Sequence, residues 1–269
     1  MLLPLTIIQK ICSGRLDKKG GLSASYVKTL IFIIRSAISF GALKSYCALL
    51  DGEICELPKK KPKLPMFTID EQTRLERYVQ SDIDGMKLGV LISLNTGLRI
   101  GEICGLRWSD IDFRENTLSV QRTVYRIANN DGDGPKTKLI AGDPKSASSY
   151  RVIPIPSYLI PTIAEYREKS ISECVVANNK YSLPDPRTYQ YRFKRYLEAC
   201  EIPYRNFHAL RHVYATRCIE VGVDIKSLSE MLGHSNVSIT LNTYVHPSLE
   251  HKRNQIELLG FFRGQHLGH

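Results

Sequence analysis

The stretch FHALRHVYATRCIEVGVDIKSLSEMLGHSNVSITLNTYVH, residues 207–246, decides how the rest of the chain is read. It gathers His208, Arg211, His234 and Tyr244 into one short span. His208 and Arg211 lie three apart on a predicted helix over 208–221 and project from one face. A second helix over 224–232 ends at Met231-Leu232-Gly233, and His234 falls on the turn after it. Ser235 is placed to cap a third short helix over 236–243, which delivers Tyr244 ten residues beyond His234. Arginine suits forked contact with phosphate oxygens and cannot lose its proton. A tyrosine hydroxyl has a pKa near 10, so only about one in a thousand is ionised at pH 7. Activating it as a nucleophile needs roughly 4 kcal/mol from neighbouring positive charge or a base. Taken singly, each residue has a plainer reading: a surface histidine, an ion-paired arginine, a packed tyrosine. With 14 tyrosines in the chain, residue type alone does not single out Tyr244.

Upstream, Thr68-Ile69-Asp70-Glu71 has the capping-box pattern that starts a helix, and with it a domain. MKLGVLISLNT (86–96) is apolar nearly all round and belongs at the centre of a core. Gly97 is placed to end that helix at φ > 0. A further short helix begins around Arg99, which puts Arg99 and Glu102 one turn apart on the same face. Arg99 and Arg211 together would clamp the non-bridging oxygens of a phosphate. Between 117 and 155 the period changes: LSVQRTVYRI alternates, NNDGDGP is turn chemistry, and TKLIA and SYRVIPI read as short strands. This predicts a small antiparallel sheet or hairpin set, with Lys145 in the loop DPKSASS or just before the last strand. A lysine so placed could swing in as general acid for a leaving alkoxide. Helices follow around 157–170 and 188–200, and a last one after Pro247 carries IELLGFF. The fold class is mainly α with a small antiparallel sheet.

The chain has 269 residues and is 43% hydrophobic, enough for one large core with a smaller satellite. Its net charge of +10 and pI of about 9.2 favour a polyanionic partner, nucleic acid first. Seven scattered cysteines with no CxxC read as reduced thiols of a cytoplasmic protein. No run reaches the roughly 20 apolar residues of a membrane span, and Pro4 and Lys10 interrupt the apolar N-terminus. Residues 5–13 are helix-like, and Ser23 or Ser25 can cap a helix through YVKTLIFIIRSAISFGAL. LPKKKPKLP (57–65) then breaks all regular structure. Its Lys59, Lys60, Lys61 and Lys63 make either a solvated linker or a basic strap against phosphates, and the two are compatible. The predicted organisation is a small helical domain over 1–56, a basic linker over 57–65 and a main domain over 66–269.

Other chemistries fit poorly. His208 and His212 lie four apart with Cys218 nearby, but the HExxH glutamate is missing and no second cysteine is spaced for zinc. There is no Walker loop for ATP.

TGLRIGEICGLRWSDID (96–112), HALRHVYATRCIEVG (208–222) and LGHSNVSITLNTYVH (232–246) resemble the two conserved boxes of the tyrosine recombinases of the phage-integrase family. The resemblance runs from about residue 66 to the end, with three separated motifs in the right order. It implies Arg99 as the first catalytic arginine, Glu102 as the supporting acid, and His208 and Arg211 as the HxxR pair. His234 matches the second histidine position, and Tyr244 matches the nucleophile. DPKSASSYRVIPIP resembles the hairpin lysine segment, which makes Lys145 the lysine, with Lys136 and Lys138 as neighbouring alternatives. The implied reaction forms a 3′-phosphotyrosyl enzyme and a free 5′-hydroxyl, needs neither cofactor nor metal, and proceeds through a Holliday junction. The implied partners are double-stranded DNA attachment sites and three further copies of the chain, a homotetramer on DNA that is monomeric when free. Accessory DNA-bending or excision factors are further implied partners, and the implied location is the bacterial cytoplasm, on the nucleoid when bound to DNA. GLSASYVKTLIFIIRSAISFGAL resembles later helices of the family's core-binding domain, and the space before the linker suits only a partial one. The IELLGFF helix is expected to pack on a neighbouring protomer. Two alternatives stay open from the residues alone: a type IB topoisomerase-like nicking and closing enzyme, and a non-catalytic DNA-binding regulator.

Overall fold

The computed structural model describes residues 24–46, 48, 66–129, 134–143, 149–177, 183–244, 253, 256 and 257. The chain divides into two compact units, Met1–Leu64 and Pro65–His269. In the first, the described part is one long helix, α1 (Ala24–Leu43), as its apolar run predicts. The expected helix over 5–13, the lysine segment 57–65 and nearly all of the IELLGFF helix lie outside the described residues. Among the described residues, no helix is long and apolar enough to cross a membrane.

The second unit begins with α2 (Ile69–Gln80), started by the expected capping box. Thr68 Oγ1 accepts from the Glu71 amide at 3.2 Å, and Glu71 Oε2 accepts from the Thr68 amide at 2.7 Å. These bonds satisfy two of the orphan donors at the helix start. The helix buries Leu75 and Val79. Next, α3 (Gly85–Thr96) is buried on nearly every side, as its largely apolar composition predicts. A short helix α4 (Ile100–Gly105) follows, with Arg99 at its N-cap.

Among the described residues, the β region forms two sheets. In one, β1 (Ile111–Asp112), β2 (Thr117–Val120) and β5 (Arg151–Pro154) pair antiparallel in that order, with Leu118 opposite Ile153 and Val120 opposite Arg151. In the other, β3 (Thr123–Ala128) pairs with β4 (Thr137–Gly142). The alternating run LSVQRTVYRI is therefore not one strand. It breaks at Gln121-Arg122, where Arg122 forks onto the Asp110 carboxylate and donates to the Gly105 carbonyl. Those bonds hold the backbone between the two sheets. The two-residue β1 is too short for periodicity to reveal.

Among the described residues, five more helices follow: α5 (Ile160–Lys169), α6 (Pro186–Ala199), α7 (His208–Glu220), α8 (Ile225–Leu232) and α9 (Val237–Tyr244). The expected helix over 157–170 opens with a 3-10 turn, Ser157–Leu159, before α5. The core gathers Leu88, Leu91 and Ile92 of α3 with Leu118, Ile153, Phe193, Phe207 and Leu210. Phe207 stacks at a tilt on Tyr189 and edge-on against Phe193, which fixes the entry to α7. A smaller cluster of Ala215, Leu228 and Leu232 joins α7 to α8.

Candidate active site

Glu102 sits at the centre of the arrangement. Its side chain is 4% exposed, and both oxygens are doubly used. Oε1 accepts from Arg99 Nη1 at 2.8 Å and Arg151 Nη1 at 3.0 Å. Oε2 accepts from the Arg99 amide at 2.8 Å and Arg151 Nη2 at 2.9 Å. A carboxylate offers about four lone-pair sites, and all are filled here. Burial works against the charge, but the hydrogen bonds and charge of Arg151, then those of Arg99, outweigh it and hold Glu102 below the usual carboxylate range.

The arginines meet at the end of α8. The last carbonyls of a helix have no partner within it and carry the negative end of its dipole. Here three in succession are taken: Met231 O by Arg151 Nε at 2.7 Å, Leu232 O by Arg211 Nη2, and Gly233 O by Arg99 Nη2 at 3.2 Å. Gly233 makes this turn at φ 62°, and a Cβ there would come within 3.0 Å of Arg151 Nη1. Arg211 also donates Nη1 to Gly97 O at 2.9 Å and is 1% exposed. Arg99 is the open member, with 36% of its side chain exposed.

The two histidines stand among these cations. His208 begins α7, with one side open to solvent and its ring edge-on to His212 at 4.8 Å between centroids. Dense packing first, then the charges of His212, Arg211 and Arg99, push its pKa down to about 4. His234 is likewise pushed down to about 4 by burial, then by Arg211, Arg99 and Arg151. Both rings are therefore neutral near pH 7. His234 Nδ1 lies 2.7 Å from Oγ1 of the buried Thr240. Thr240 sits on α9, one turn before Tyr244, the last residue of that helix.

The structure thus brings Arg99, Glu102, His208, Arg211 and His234 together around the turn that leads into the helix ending at Tyr244. Lys145 and Lys59, Lys60, Lys61 and Lys63 lie outside the described residues. The cap of α9 is Asn236, whose Oδ1 accepts from the Ser238 amide at 2.8 Å, and not Ser235 as expected. An Asx side chain at this position reaches the N2 amide directly. Sequence reading missed Arg151. A signal existed: in SYRVIPI the strand period puts Arg151 on the face of buried Ile153, where an arginine needs a buried acid.

A family model, the phage integrase family, matches residues 68–251. A tyrosine recombinase XerC-like protein of Caldanaerobacter subterraneus subsp. tengcongensis is 33% identical across 96% of this chain and 72% of its own length. Tyrosine recombinase XerA of Thermococcus onnurineus is 31% identical across 88% of this chain and 77% of its own. In fold, the chain is similar to the Tn1549 transposon integrase in complex with a circular intermediate DNA, at TM-score 0.75 and 22% identity, covering 95% of this chain and 84% of that one. It is also similar to a lambda integrase tetramer bound to a Holliday junction, at TM-score 0.63 and 17% identity, covering 91% and 65%. On the family match and these relatives, the chain belongs to the phage integrase family and is a tyrosine recombinase.

Proposed function

We propose that this recombinase cuts and rejoins DNA through Tyr244, with Arg99, Arg211, His208, His234 and Lys145 disposed around the scissile phosphate. The observation that carries the reading is the convergence of Arg99, Arg211, His208 and His234 at the Met231–Gly233 turn, next to the helix that ends in Tyr244. Tyr244 Oη attacks phosphorus, the bond to the 5′-oxygen breaks, and a 3′-phosphotyrosine forms. The hydroxyl's proton passes to a neutral histidine, for which His208 is placed by its open side at the start of α7. Lys145 supplies the proton that the departing 5′-oxygen needs. Arg99, the exposed arginine, faces the non-bridging oxygens, and the buried charge of Arg211 stands behind it. The energy of the broken phosphodiester stays in the phosphotyrosine, so a 5′-hydroxyl of a partner strand can reverse the step.

Two such rounds on two duplexes call for four protomers and a Holliday junction, the assembly in which lambda integrase was captured. The lysines at 59, 60, 61 and 63 would follow the phosphate backbone. DNA-bending or excision factors would set which sites are joined.

The test is a duplex nicked near the cleavage site, from which the short fragment bearing the released 5′-hydroxyl diffuses away and leaves the covalent complex trapped. Wild type should accumulate a protein–DNA adduct and Tyr244→Phe none. An adduct with Tyr244→Phe would remove Tyr244 as nucleophile, and none with wild type would remove the mechanism. Lys145→Ala should cleave slowly and recover on a substrate with a sulfur in place of the 5′-bridging oxygen.

A further inference from the structure

We infer that Arg151 is a positioning residue of the reaction: acting through Glu102, it fixes the orientation of Arg99 towards the phosphate. This rests on the reading of Arg99 given above. Arg151 touches none of the reacting atoms in that reading, so its effect must pass through another side chain.

The geometry gives the path. Arg151 has five N–H donors, and four bonds to three separate segments are in place. Nε goes to Met231 O at 2.7 Å, Nη1 to Glu102 Oε1 at 3.0 Å and Ser149 O at 3.1 Å, and Nη2 to Glu102 Oε2 at 2.9 Å. Its side chain is 6% exposed. The guanidinium therefore ties the end of α8, the acid of α4, and the backbone four residues after Lys145 to the first residue of β5.

Glu102 is shared in a way that makes this matter. Each oxygen serves one bond from Arg99 and one from Arg151. Rotating the carboxylate to suit one arginine breaks a bond to the other. Among the described residues, Arg99 has one remaining side-chain anchor, the longer 3.2 Å bond to Gly233 O. Without Arg151, Glu102 can turn, and the open guanidinium of Arg99 turns with it. Arg211 is held independently, by Gly97 O and Leu232 O, so the damage should be confined to one half of the clamp. A lysine at 151 would keep the charge but not the fork, because an ammonium cannot span two carboxylate oxygens and a carbonyl in one plane.

The experiment compares wild type, Arg151→Gln, Arg151→Lys, Glu102→Gln and the double variant Arg151→Gln/Glu102→Gln on the nicked duplex. DNA affinity and single-turnover cleavage at saturating DNA are measured separately. Arg151→Gln should lose about 100-fold in cleavage rate, the scale expected when a reacting group is misplaced by an ångström, with DNA affinity changed less than about threefold. Arg151→Lys should recover only part of the rate. The double variant should be no slower than the slower single variant, because both act on one path.

A pH profile gives a second readout. The charged and titratable groups facing Glu102 are Arg99 at its own helix start, Arg151 from β5 and His208 from α7. Removing Arg151 leaves burial opposed by Arg99 alone, so the acid limb should move to higher pH in Arg151→Gln. If Arg151→Gln does not fold, the partial rate of Arg151→Lys and its unchanged affinity carry the test. Wild-type cleavage rates in Arg151→Gln or full activity in Arg151→Lys would overturn the inference. Losses that multiply in the double variant, or affinity falling in step with rate, would do the same. If wild type itself forms no adduct, it is the mechanism that fails, which separates the two outcomes.

Discussion

Gly97 combines two demands that a side chain would break. It closes α3 at φ 67°, and its carbonyl takes Arg211 Nη1. A Cβ there would lie 2.6 Å from Tyr214 Cδ1 and 2.9 Å from Leu232 Cδ2. Gly97→Ala should cost about 2–4 kcal/mol in urea denaturation, from the left-handed backbone and the overpacking together. A loss under about 1 kcal/mol would mean that Tyr214 moves aside freely. The sequence reading of TGLR placed the glycine for its φ, which a helix end requires locally. It could not see Tyr214, which arrives from α7. Glu102 divides in the same way. Its spacing from Arg99 is a helix turn and was legible, whereas its second arginine comes from 49 residues away.

At the scale of the element, the start of α2 shows how a local signal gains strength from a distant partner. Thr68 and Glu71 make the capping box that their spacing predicts. Glu71 is also held by Arg205 Nη2 at 2.9 Å, and the guanidinium stacks 4.6 Å from the Phe67 ring centroid. Arg205 and Glu71 are both buried. Thr68→Ala should cost about 1 kcal/mol, the usual value of an N-cap. Arg205→Leu should cost about 3 kcal/mol, because it removes the arginine that compensates the charge of a buried carboxylate. Urea midpoints of the two variants check the order, and equal losses would contradict it. The β region gives the converse case. Its alternation is local and was read correctly as strand, but the division into two sheets is set by Arg122 reaching Asp110 and Gly105.

For the whole molecule, the two low histidine pKa values make stability and DNA binding respond to pH. His208 and His234 fall from 6.5 to about 4 on folding. Between those values the unfolded chain binds protons that the folded chain does not. Their contribution to stability is therefore full above pH 6.5 and is lost as pH falls towards 4. A phosphate among the same groups raises both pKa values, so DNA binding should take up protons in that window. Titration calorimetry in buffers of different ionisation heat measures this, and no uptake would place the phosphate elsewhere. DNA affinity should also fall steeply with salt.

By itself, the sequence determined the helices of the second unit to within a few residues, the capping box of α2, the two closing glycines and most residue types of the candidate site. These depend on spacing along the chain, which periodicity and turn chemistry expose. Only the tertiary structure decided that the carbonyls of Met231, Leu232 and Gly233 each receive an arginine from a different segment. It also decided that Glu102 is shared with Arg151 and that both histidines are kept neutral. Those facts follow from charges and unpaired carbonyls brought together across the fold, and no spacing within a single segment records them.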